Sequence, residues 1–254
     1  MSRVPVPAGL LDWLVGAYAR ATGARLDEAE RPNGGWGTFA GFFTRALVPG
    51  SRTFPADSRD LACPVDGRLV SATEVNAVDS LEAKGLQARP RVLLGRDDWA
   101  ADLDGGCQAT WYLAPGNYHR VHTPCPGVVT DVLRIPGSLF PVRPPWPDRR
   151  PDLFARNERA VCRLASEAGP VLFVVLVGAR NVGSIRLPWE EGRPPRPHRP
   201  LATAPGCRLE QGAELGRFEL GSTVILLCPD GTTLAPGDPG QGWQCGEKAG
   251  QLAP

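Results

Sequence analysis

The sequence predicts an α+β fold that is rich in β-strands, with antiparallel sheets forming the main body and short helices at the N-terminus. Two observations indicate this class: apolar residues follow a helical period only near the start of the chain, and short apolar segments between turn residues fill the remainder. The 30 glycines and 27 prolines also favour frequent turns over long helices. Because no long helical segment alternates with the strands, a parallel βαβ sheet is not expected.

A first helix is predicted in GLLDWLVGAYARATG, residues 9–23. Leu10, Leu14 and Tyr18 recur at intervals of four residues and form an apolar stripe, with Trp13 at its edge. Such a stripe either docks on the core of the protein or lies in a membrane interface, and the pattern leaves both interpretations open.

A second short helix is predicted in TFAGFFTRALV, residues 38–48, and the following Pro49 ends it. Beyond this point the pattern changes to short strands. We therefore divide the chain into an N-terminal helical, membrane-associating segment, residues 1–48, and a β-rich catalytic domain, residues 49–254.

Eight segments after Pro49 have the composition of strands and are bounded by proline, glycine, aspartate or asparagine. They are residues 68–72, 109–114, 127–135, 159–166, 171–178, 181–187, 214–220 and 222–228. The tail from Pro229 onward is expected to be loosely structured. The order of the strands in the sheets does not follow from the sequence.

Composition and charge narrow the class of function. The net charge of +1 gives no reason to expect nucleic-acid binding. The seven cysteines are odd in number and form no CxxC pair, so we expect reduced thiols in a cytosolic compartment rather than a disulfide framework or a zinc site. No signal peptide is expected, and the longest apolar run, residues 171–177, is far shorter than the ~20 residues of a membrane span.

Two loops, residues 141–152 and 191–200, are rich in proline and arginine and are expected to be exposed. Their arginines either contact phosphate groups or are simply solvated. His198 lies in the second loop and is expected to be solvated as well.

The other two histidines, His119 and His122, lie together in YLAPGNYHRVHTPCPG beside a Pro-Gly-Asn turn. Their spacing is ambiguous, because residues three apart share a face on a helical turn but point to opposite faces on a strand. An HxxH pair can bind a metal, but no further cluster of carboxylates or cysteines supports this, and no metal site is predicted. Asp66, in CPVDGRLV, is either part of a hairpin turn or the acidic partner of a catalytic base.

Within GRFELGSTVILLC, residues 216–228, Gly221 and Ser222 interrupt an apolar strand pattern. Glycine weakens a strand, and serine brings a hydroxyl into what should be core. The serine does not lie on the exposed elbow of a conventional hydrolase. Its nearest acyl group is the carbonyl of Gly221, so the pattern indicates a serine that attacks its own chain, with a histidine as base and an aspartate as the partner of that base.

Eight segments, spread over nearly the whole chain, together resemble phosphatidylserine decarboxylase, a family of self-processing pyruvoyl enzymes. They are FFTRALVPGSR (42–52), PVDG (64–67), LEAKG (81–85), YLAPGNYHRVHTP (112–124), PGSLFPV (136–142), LFARNERAVC (153–162), VLVGARNVGSI (175–185) and GRFELGSTVI (216–225). The tetrapeptide LGST, together with YHRVH and LFARNER, is highly specific for this family.

The resemblance implies a role for each candidate residue. Asp66, His122 and Ser222 match the self-cleavage triad, in which His122, oriented by Asp66, takes the proton of Ser222. Ser222 then attacks the carbonyl of Gly221, and the chain is cut between the two residues. The cofactor implied is a covalent pyruvoyl group derived from Ser222, with no metal and no pyridoxal phosphate.

The resemblance also implies the products and the reaction. Cleavage gives a β chain, residues 1–221, and an α chain, residues 222–254, which form a heterodimer, and the family suggests a dimer of such protomers. Phosphatidylserine forms a Schiff base with the pyruvoyl group and loses CO2, and His119 donates the proton that yields phosphatidylethanolamine. A lipid substrate implies a peripheral location at the cytoplasmic face of the cell membrane and favours membrane contact by the first helix.

Some departures and alternatives stay open. Val65 stands where the family usually has alanine, residues 143–145 replace a family asparagine, and the region before Leu10 is short. The alternatives to the lipid enzyme are a pyruvoyl decarboxylase acting on another amine, such as a soluble amino acid, an unprocessed β-domain that binds lipid or protein, and a conventional serine hydrolase.

Overall fold

The computed structural model describes residues 4, 6–75, 89–143, 152–179, 185–190, 201–203, 206–219 and 222–253. The described helices are α1 (Ala8–Thr22), α2 (Phe39–Phe43), α3 (Pro90–Leu94), α4 (Asp97–Ala101) and α5 (Leu153–Arg156), and a 3-10 turn is described at Pro188–Glu190. Gly221, His198 and the 191–200 loop lie outside the described residues, as does most of the 141–152 loop.

The described strands are β1 (Ala29–Glu30), β2 (Ala46–Leu47), β3 (Asp60–Ala62), β4 (Gly67–Glu74), β5 (Cys107–Leu113), β6 (Arg120–His122), β7 (Gly127–Ile135), β8 (Arg159–Ser166), β9 (Val171–Val177), β10 (Ile185–Arg186), β11 (Leu201–Thr203), β12 (Cys207–Leu209), β13 (Glu214–Phe218), β14 (Ser222–Cys228), β15 (Thr233–Leu234), β16 (Gly242–Trp243) and β17 (Lys248–Gln251). Every pairing among them is antiparallel, which confirms the predicted α+β, β-rich class.

A nine-stranded sheet forms the body, in the order β11-β7-β8-β9-β14-β5-β4-β16, with β12 also on β7. Its two central strands read as nearly continuous apolar runs, Val171–Val177 and Ser222–Cys228, because both of their faces are covered and neither face needs polar residues. Every residue of β14 is buried. The strand that begins with the candidate nucleophile is therefore held on both sides inside the core.

The two helices of the N-terminal segment pack on each other through a small apolar cluster. Leu11, Val15 and Ala19 of α1 are buried together with Phe42 of α2. The stripe of Leu10, Leu14 and Tyr18 is not the docked face: Leu10 and Leu14 remain exposed, and Tyr18 is only partly buried. The helix period gives two apolar faces about one residue apart, and the buried one is the face that meets α2.

Two expectations about the remaining elements are wrong. The second helix ends at Phe43 rather than Val48, because Ala46–Leu47 pair with Ala29–Glu30 as strands. The tail after Pro229 is ordered: β16 extends the large sheet beside β4, and β17 joins a sheet with β15 and β3. Trp243 and Leu252 of this tail are buried.

Candidate active site

The position of Ser222 is fixed by the pairing of β14 with β5. Ser222 is the first residue of β14 and lies opposite Leu113, the last residue of β5. The chain then continues from Leu113 into residues 114–119, which we call the histidine turn because His119 ends it. The turn is closed by the side chain of Asn117, whose Oδ1 accepts a hydrogen bond from the main-chain nitrogen of Ala114 at 2.7 Å.

The pairing of β13 with β6 brings the residues before Ser222 to the end of the histidine turn. The main-chain nitrogen of Phe218 donates to the oxygen of His119 at 3.0 Å, and Arg217 lies opposite Arg120. Phe218 is four residues before Ser222, so their Cα atoms lie at most about 14 Å apart. The segment that contains the predicted cleavage bond thus starts beside His119 and ends beside Leu113.

Ser222 is fully buried, and its Oγ has no hydrogen-bond partner within the described part of the chain. A buried hydroxyl without a partner costs free energy, so a purely structural position would favour an apolar residue here. The sequence keeps a hydroxyl at this point and leaves it free to react.

His119 is fully buried, and its ring stacks on Phe43 with centroids 4.0 Å apart and the planes 21° from parallel. Burial lowers the pKa of His119 to about 3, and the positive charge of Arg45 adds to this effect, while the carbonyl groups of Pro115 and Ala114 oppose it. Neither ring nitrogen makes a hydrogen bond of normal geometry to a described residue. The ring is therefore neutral near pH 7 and retains its capacity to bind a substrate.

His122 is held through both ring nitrogens. Nδ1 lies 2.7 Å from the carbonyl oxygen of Gly212, which can only accept, so Nδ1 carries the proton. Nε2 is then the basic nitrogen, and it accepts a hydrogen bond from the hydroxyl of Tyr118 at 2.8 Å. Burial is the main cause that lowers the pKa of His122, which keeps this ring neutral as well.

Asp66 is engaged with groups other than the ring of His122. Arg52 donates to both of its carboxylate oxygens, at 3.1 and 2.5 Å, and the main-chain nitrogen of Cys245 donates to Oδ1 at 2.9 Å. Arg52 also pairs with Glu28 at 2.9 Å. The main-chain nitrogen of His122 donates to the oxygen of Pro64, which brings Asp66 close to His122. The two side chains themselves form no direct hydrogen bond.

Three further residues belong to the site and were given no role by the sequence. Tyr118 and Gly212 hold the ring of His122, and Arg45 donates from Nη2 to the oxygens of Gly116 and Asn117 in the histidine turn, at 3.2 and 3.3 Å. The only signal for Arg45 was its position in FFTR, two residues after Phe42-Phe43.

Two further properties of the described residues bear on the kind of site. Within the described ranges, no group of three or more histidine, cysteine, aspartate or glutamate residues is placed to hold a metal ion. None of the described helices is both long enough and apolar enough to pass through a bilayer.

Comparison with known proteins shows the family of the chain. The family model described as phosphatidylserine decarboxylase matches residues 39–251. Proteins named phosphatidylserine decarboxylase proenzyme are similar to the chain: that of Verminephrobacter eiseniae is 44% identical over 88% of this chain and 80% of its own length. The proteins of Stenotrophomonas maltophilia (41% identical, 86% of this chain and 80% of its own length) and Methylibium petroleiphilum (40%, 94% and 86%) bear the same name. The chain belongs to the phosphatidylserine decarboxylase family.

Proposed function

We propose that the protein decarboxylates phosphatidylserine to phosphatidylethanolamine and CO2, using a pyruvoyl group that it makes from Ser222 by cutting its own chain. The observation that carries this proposal is the buried, unpartnered hydroxyl of Ser222 at the end of β5 and β14 where the histidine turn begins. The word proenzyme in the names of the relatives supports self-processing.

Self-cleavage needs one serine, one base and one water molecule. Ser222 Oγ attacks the carbonyl carbon of Gly221, and the bond from that carbon to the nitrogen of Ser222 breaks, which leaves an ester. A base removes the α-proton of residue 222, and the ester oxygen leaves with Gly221 as its new carboxylate. Water then replaces the nitrogen of residue 222, which departs as ammonia, and the pyruvoyl group remains.

His122 is the base that the geometry supports best, because its proton sits on Nδ1 and Nε2 has the free electron pair. The orienting contact comes from the carbonyl of Gly212 rather than from Asp66. Asp66 instead acts through its charge, which raises the pKa of His122 against the effect of burial. The hydroxyl of Tyr118, which occupies Nε2, either turns away or passes the proton from Ser222 to His122.

The residues present fit a pyruvoyl group at position 222. The hydroxyl of Ser222 has no competing partner among the described residues, and neither ring nitrogen of His119, at the end of the histidine turn, is taken by a hydrogen bond of normal geometry. The group supplies a ketone that captures the amine of the substrate and draws electrons from the bond to its carboxyl group. His119 donates the proton that replaces CO2; the anionic headgroup of a bound substrate would favour protonation of this ring against its lowered pKa, and Phe43 holds the ring in place by stacking.

A membrane-bound substrate fits the exposed side of α1. Leu10 and Trp13 are 51% and 64% exposed, and Leu14 lies beside them. The other end of the helix reaches the histidine turn: the hydroxyl of Tyr18 donates to the oxygen of Pro115 at 2.7 Å. We propose that this face rests on the bilayer at the cytoplasmic side and that the active site lies directly behind it.

The two products of cleavage stay together in this proposal. The small chain contributes β14, which pairs with β5 on one side and β9 on the other, and it contributes β16 and β17 as well. A heterodimer of residues 1–221 and 222–254 therefore keeps the whole sheet intact.

Intact-mass spectrometry of the denatured protein tests the proposal. We expect two chains that separate after Gly221, with the small one lighter than a peptide starting at serine by the difference between serine and pyruvate. A Ser222→Ala variant serves as the uncut control. The processed protein should release CO2 from phosphatidylserine in detergent micelles and not from free serine. A single chain of full mass would refute self-processing, and release from free serine alone would replace the lipid by a soluble amine.

A further inference from the structure

Arg45 is a buried arginine beside the histidine turn, and part of its hydrogen-bonding capacity is unused. It is 4% exposed, and only Nη2 is bonded, to the oxygens of Gly116 and Asn117. Nε and Nη1 are buried without a partner among the residues that the structure describes. A guanidinium has five N–H donors and no way to lose its charge, so unfilled donors in the core are costly.

Arg159 shows how this fold satisfies a buried arginine that has a structural role. It is also 4% exposed, and each of its three nitrogens donates to a carbonyl: Nε to Leu93 at 2.7 Å, Nη1 to Ala155 at 2.5 Å and Nη2 to Val92 at 2.9 Å. Arg45 differs because two of its three nitrogens are left open. Arg45 can therefore accept a further partner, such as a bound ligand, at these two nitrogens.

The residues around Arg45 also contact the candidate active site. Its guanidinium lies 4.9 Å from the ring centroid of Phe42, and the next residue, Phe43, stacks on His119. In the described part of the chain no carboxylate forms an ion pair with Arg45. The nearest acidic side chains, Asp66 and Glu28, both pair with Arg52. Arg45 thus lies beside the histidine turn with no described ion-pair partner of its own, and Asp66 and Glu28 act on its charge only from a distance.

We propose that Arg45 binds an anionic oxygen of the substrate headgroup, which rests on the function proposed above. Phosphatidylserine offers two such groups, its carboxylate and its phosphodiester, and both accept charge-assisted hydrogen bonds from an arginine. We expect the phosphodiester, because an arginine on the carboxylate would stabilise the ground state of the group that must leave as neutral CO2.

The test measures covalent capture of amines by the processed enzyme in neutral detergent micelles, with cyanoborohydride to fix the bound amine and intact mass to count it. Three probes are compared: phosphatidylserine, phosphatidylethanolamine, which lacks the carboxylate, and a long-chain alkylamine, which lacks both anionic groups. In Arg45→Gln, capture of both phospholipids should fall about 10- to 100-fold, as for a lost charge-assisted contact, while capture of the alkylamine is retained. Loss confined to phosphatidylserine would assign the contact to the carboxylate.

Two variants keep the result interpretable. Arg45→Lys retains the charge and should restore part of the phospholipid capture even where Arg45→Gln folds poorly. Arg159→Gln removes a buried arginine of structural role and should lower stability without changing the ratio between the three probes. Equal capture of all probes by the wild type and the folded Arg45 variants, or an equal loss for all three, would overturn the assignment. A wild-type chain that stays uncut or captures no amine would overturn the proposed function itself.

Discussion

The hydroxyl of Tyr118 donates to Nε2 of His122 at 2.8 Å, so the one basic nitrogen of the candidate base is occupied before self-cleavage. The two residues belong to a single motif, and their rings lie nearly parallel with centroids 5.6 Å apart. Tyr118 therefore holds the ring nitrogen that carries the electron pair of His122, and in the proposed self-cleavage a proton from Ser222 would have to replace this hydroxyl or pass through it.

Replacing Tyr118 by phenylalanine keeps the ring and removes the hydroxyl. We expect self-cleavage to slow about fivefold, because one hydrogen bond worth ~1 kcal/mol no longer aligns Nε2. The measurement is the fraction of cut chain against time on a denaturing gel, with the melting temperature as a check of folding. Cleavage at the wild-type rate, or faster, would show that Tyr118 restrains His122 rather than positioning it.

Acid should destabilise the protein through its two buried histidines. The pKa of His119 is about 3 and that of His122 is also lowered, so below the ordinary value of ~6.5 the unfolded chain binds more protons than the folded one. The stability that these neutral rings provide is present above pH ~6.5 and is lost as the pH falls from there toward 3. Urea unfolding of the uncut Ser222→Ala protein at several pH values measures this slope.

In a His119→Gln variant of the same uncut protein, the free energy of unfolding should change less with pH, whatever its absolute value. An unchanged slope between pH 4 and 6.5 would mean that His119 is not neutral in the folded state. Above pH 7 neither histidine should contribute any pH dependence.

Arg52 links the N-terminal segment to the catalytic domain by pairing with Glu28 and Asp66, and its side chain is only 7% exposed. Arg52→Met leaves both carboxylates without their partner, and we expect a loss of about 3–5 kcal/mol in the free energy of unfolding. Self-cleavage should also slow, because Asp66 loses its fixed position. Urea unfolding in the Ser222→Ala background and the cleavage gel measure the two effects separately.

The control for this prediction is Arg59→Met, which removes an arginine paired with Asp57 at the surface. Exposed pairs contribute little to stability, so this variant should unfold like the parent. If both arginine variants had the same free energy of unfolding, the ion pairs of Arg52 with Glu28 and Asp66 would contribute no more to stability than an exposed pair.

The exposed face of α1 should carry the membrane contact. Leu10→Glu combined with Trp13→Glu places two charges on this face, and we expect the protein to be released from phosphatidylserine-containing vesicles in a flotation assay. Cleavage and melting temperature should change little, because both side chains are more than half exposed. Val48→Glu, at another exposed apolar position, is the matched control and should still float. Full flotation of the α1 variant would place the contact elsewhere.

Cys107 and Cys228 face each other across β5 and β14, one on each side of the predicted cut. Directly opposed antiparallel residues have Cα atoms about 4.5–5.5 Å apart, which a disulfide can bridge. A thiol oxidant such as diamide should therefore join the two chains of the processed protein into one band near 27.2 kDa on a non-reducing gel. Cys107→Ser should abolish this band, and its persistence in that variant would exclude the pairing.

Much of the sheet could be predicted locally. The strands at 127–135, 159–166 and 222–228 were predicted with the bounds that the structure shows, because each is long, apolar and flanked by turn residues. The two-residue strand Gly242–Trp243 was missed, because it is defined by pairing with residues 67–68, far away in the sequence. The sequence alone does not reveal such long-range partners.

The site divides in the same way. The histidines, Asp66 and Ser222 stand out by residue type and by motif, and their catalytic roles remain predictions. The contacts that hold these side chains could not be predicted from the sequence. The carbonyl group of Gly212, for example, bonds to His122 from 90 positions away in the chain. Arg45 reaches the histidine turn across more than 70. Every residue has a backbone carbonyl, so no sequence pattern indicates which carbonyl groups bind His122 and Arg45.

The central place of β14 has a consequence for the life of the processed molecule. A chain end at residue 222 would lie in the middle of a sheet, with neighbouring strands on both sides. The small fragment could not be withdrawn or exchanged between molecules without opening that sheet and exposing its apolar faces to water. Each large fragment would therefore keep the small fragment that was cut from it, and inactivation would require unfolding of the pair rather than dissociation.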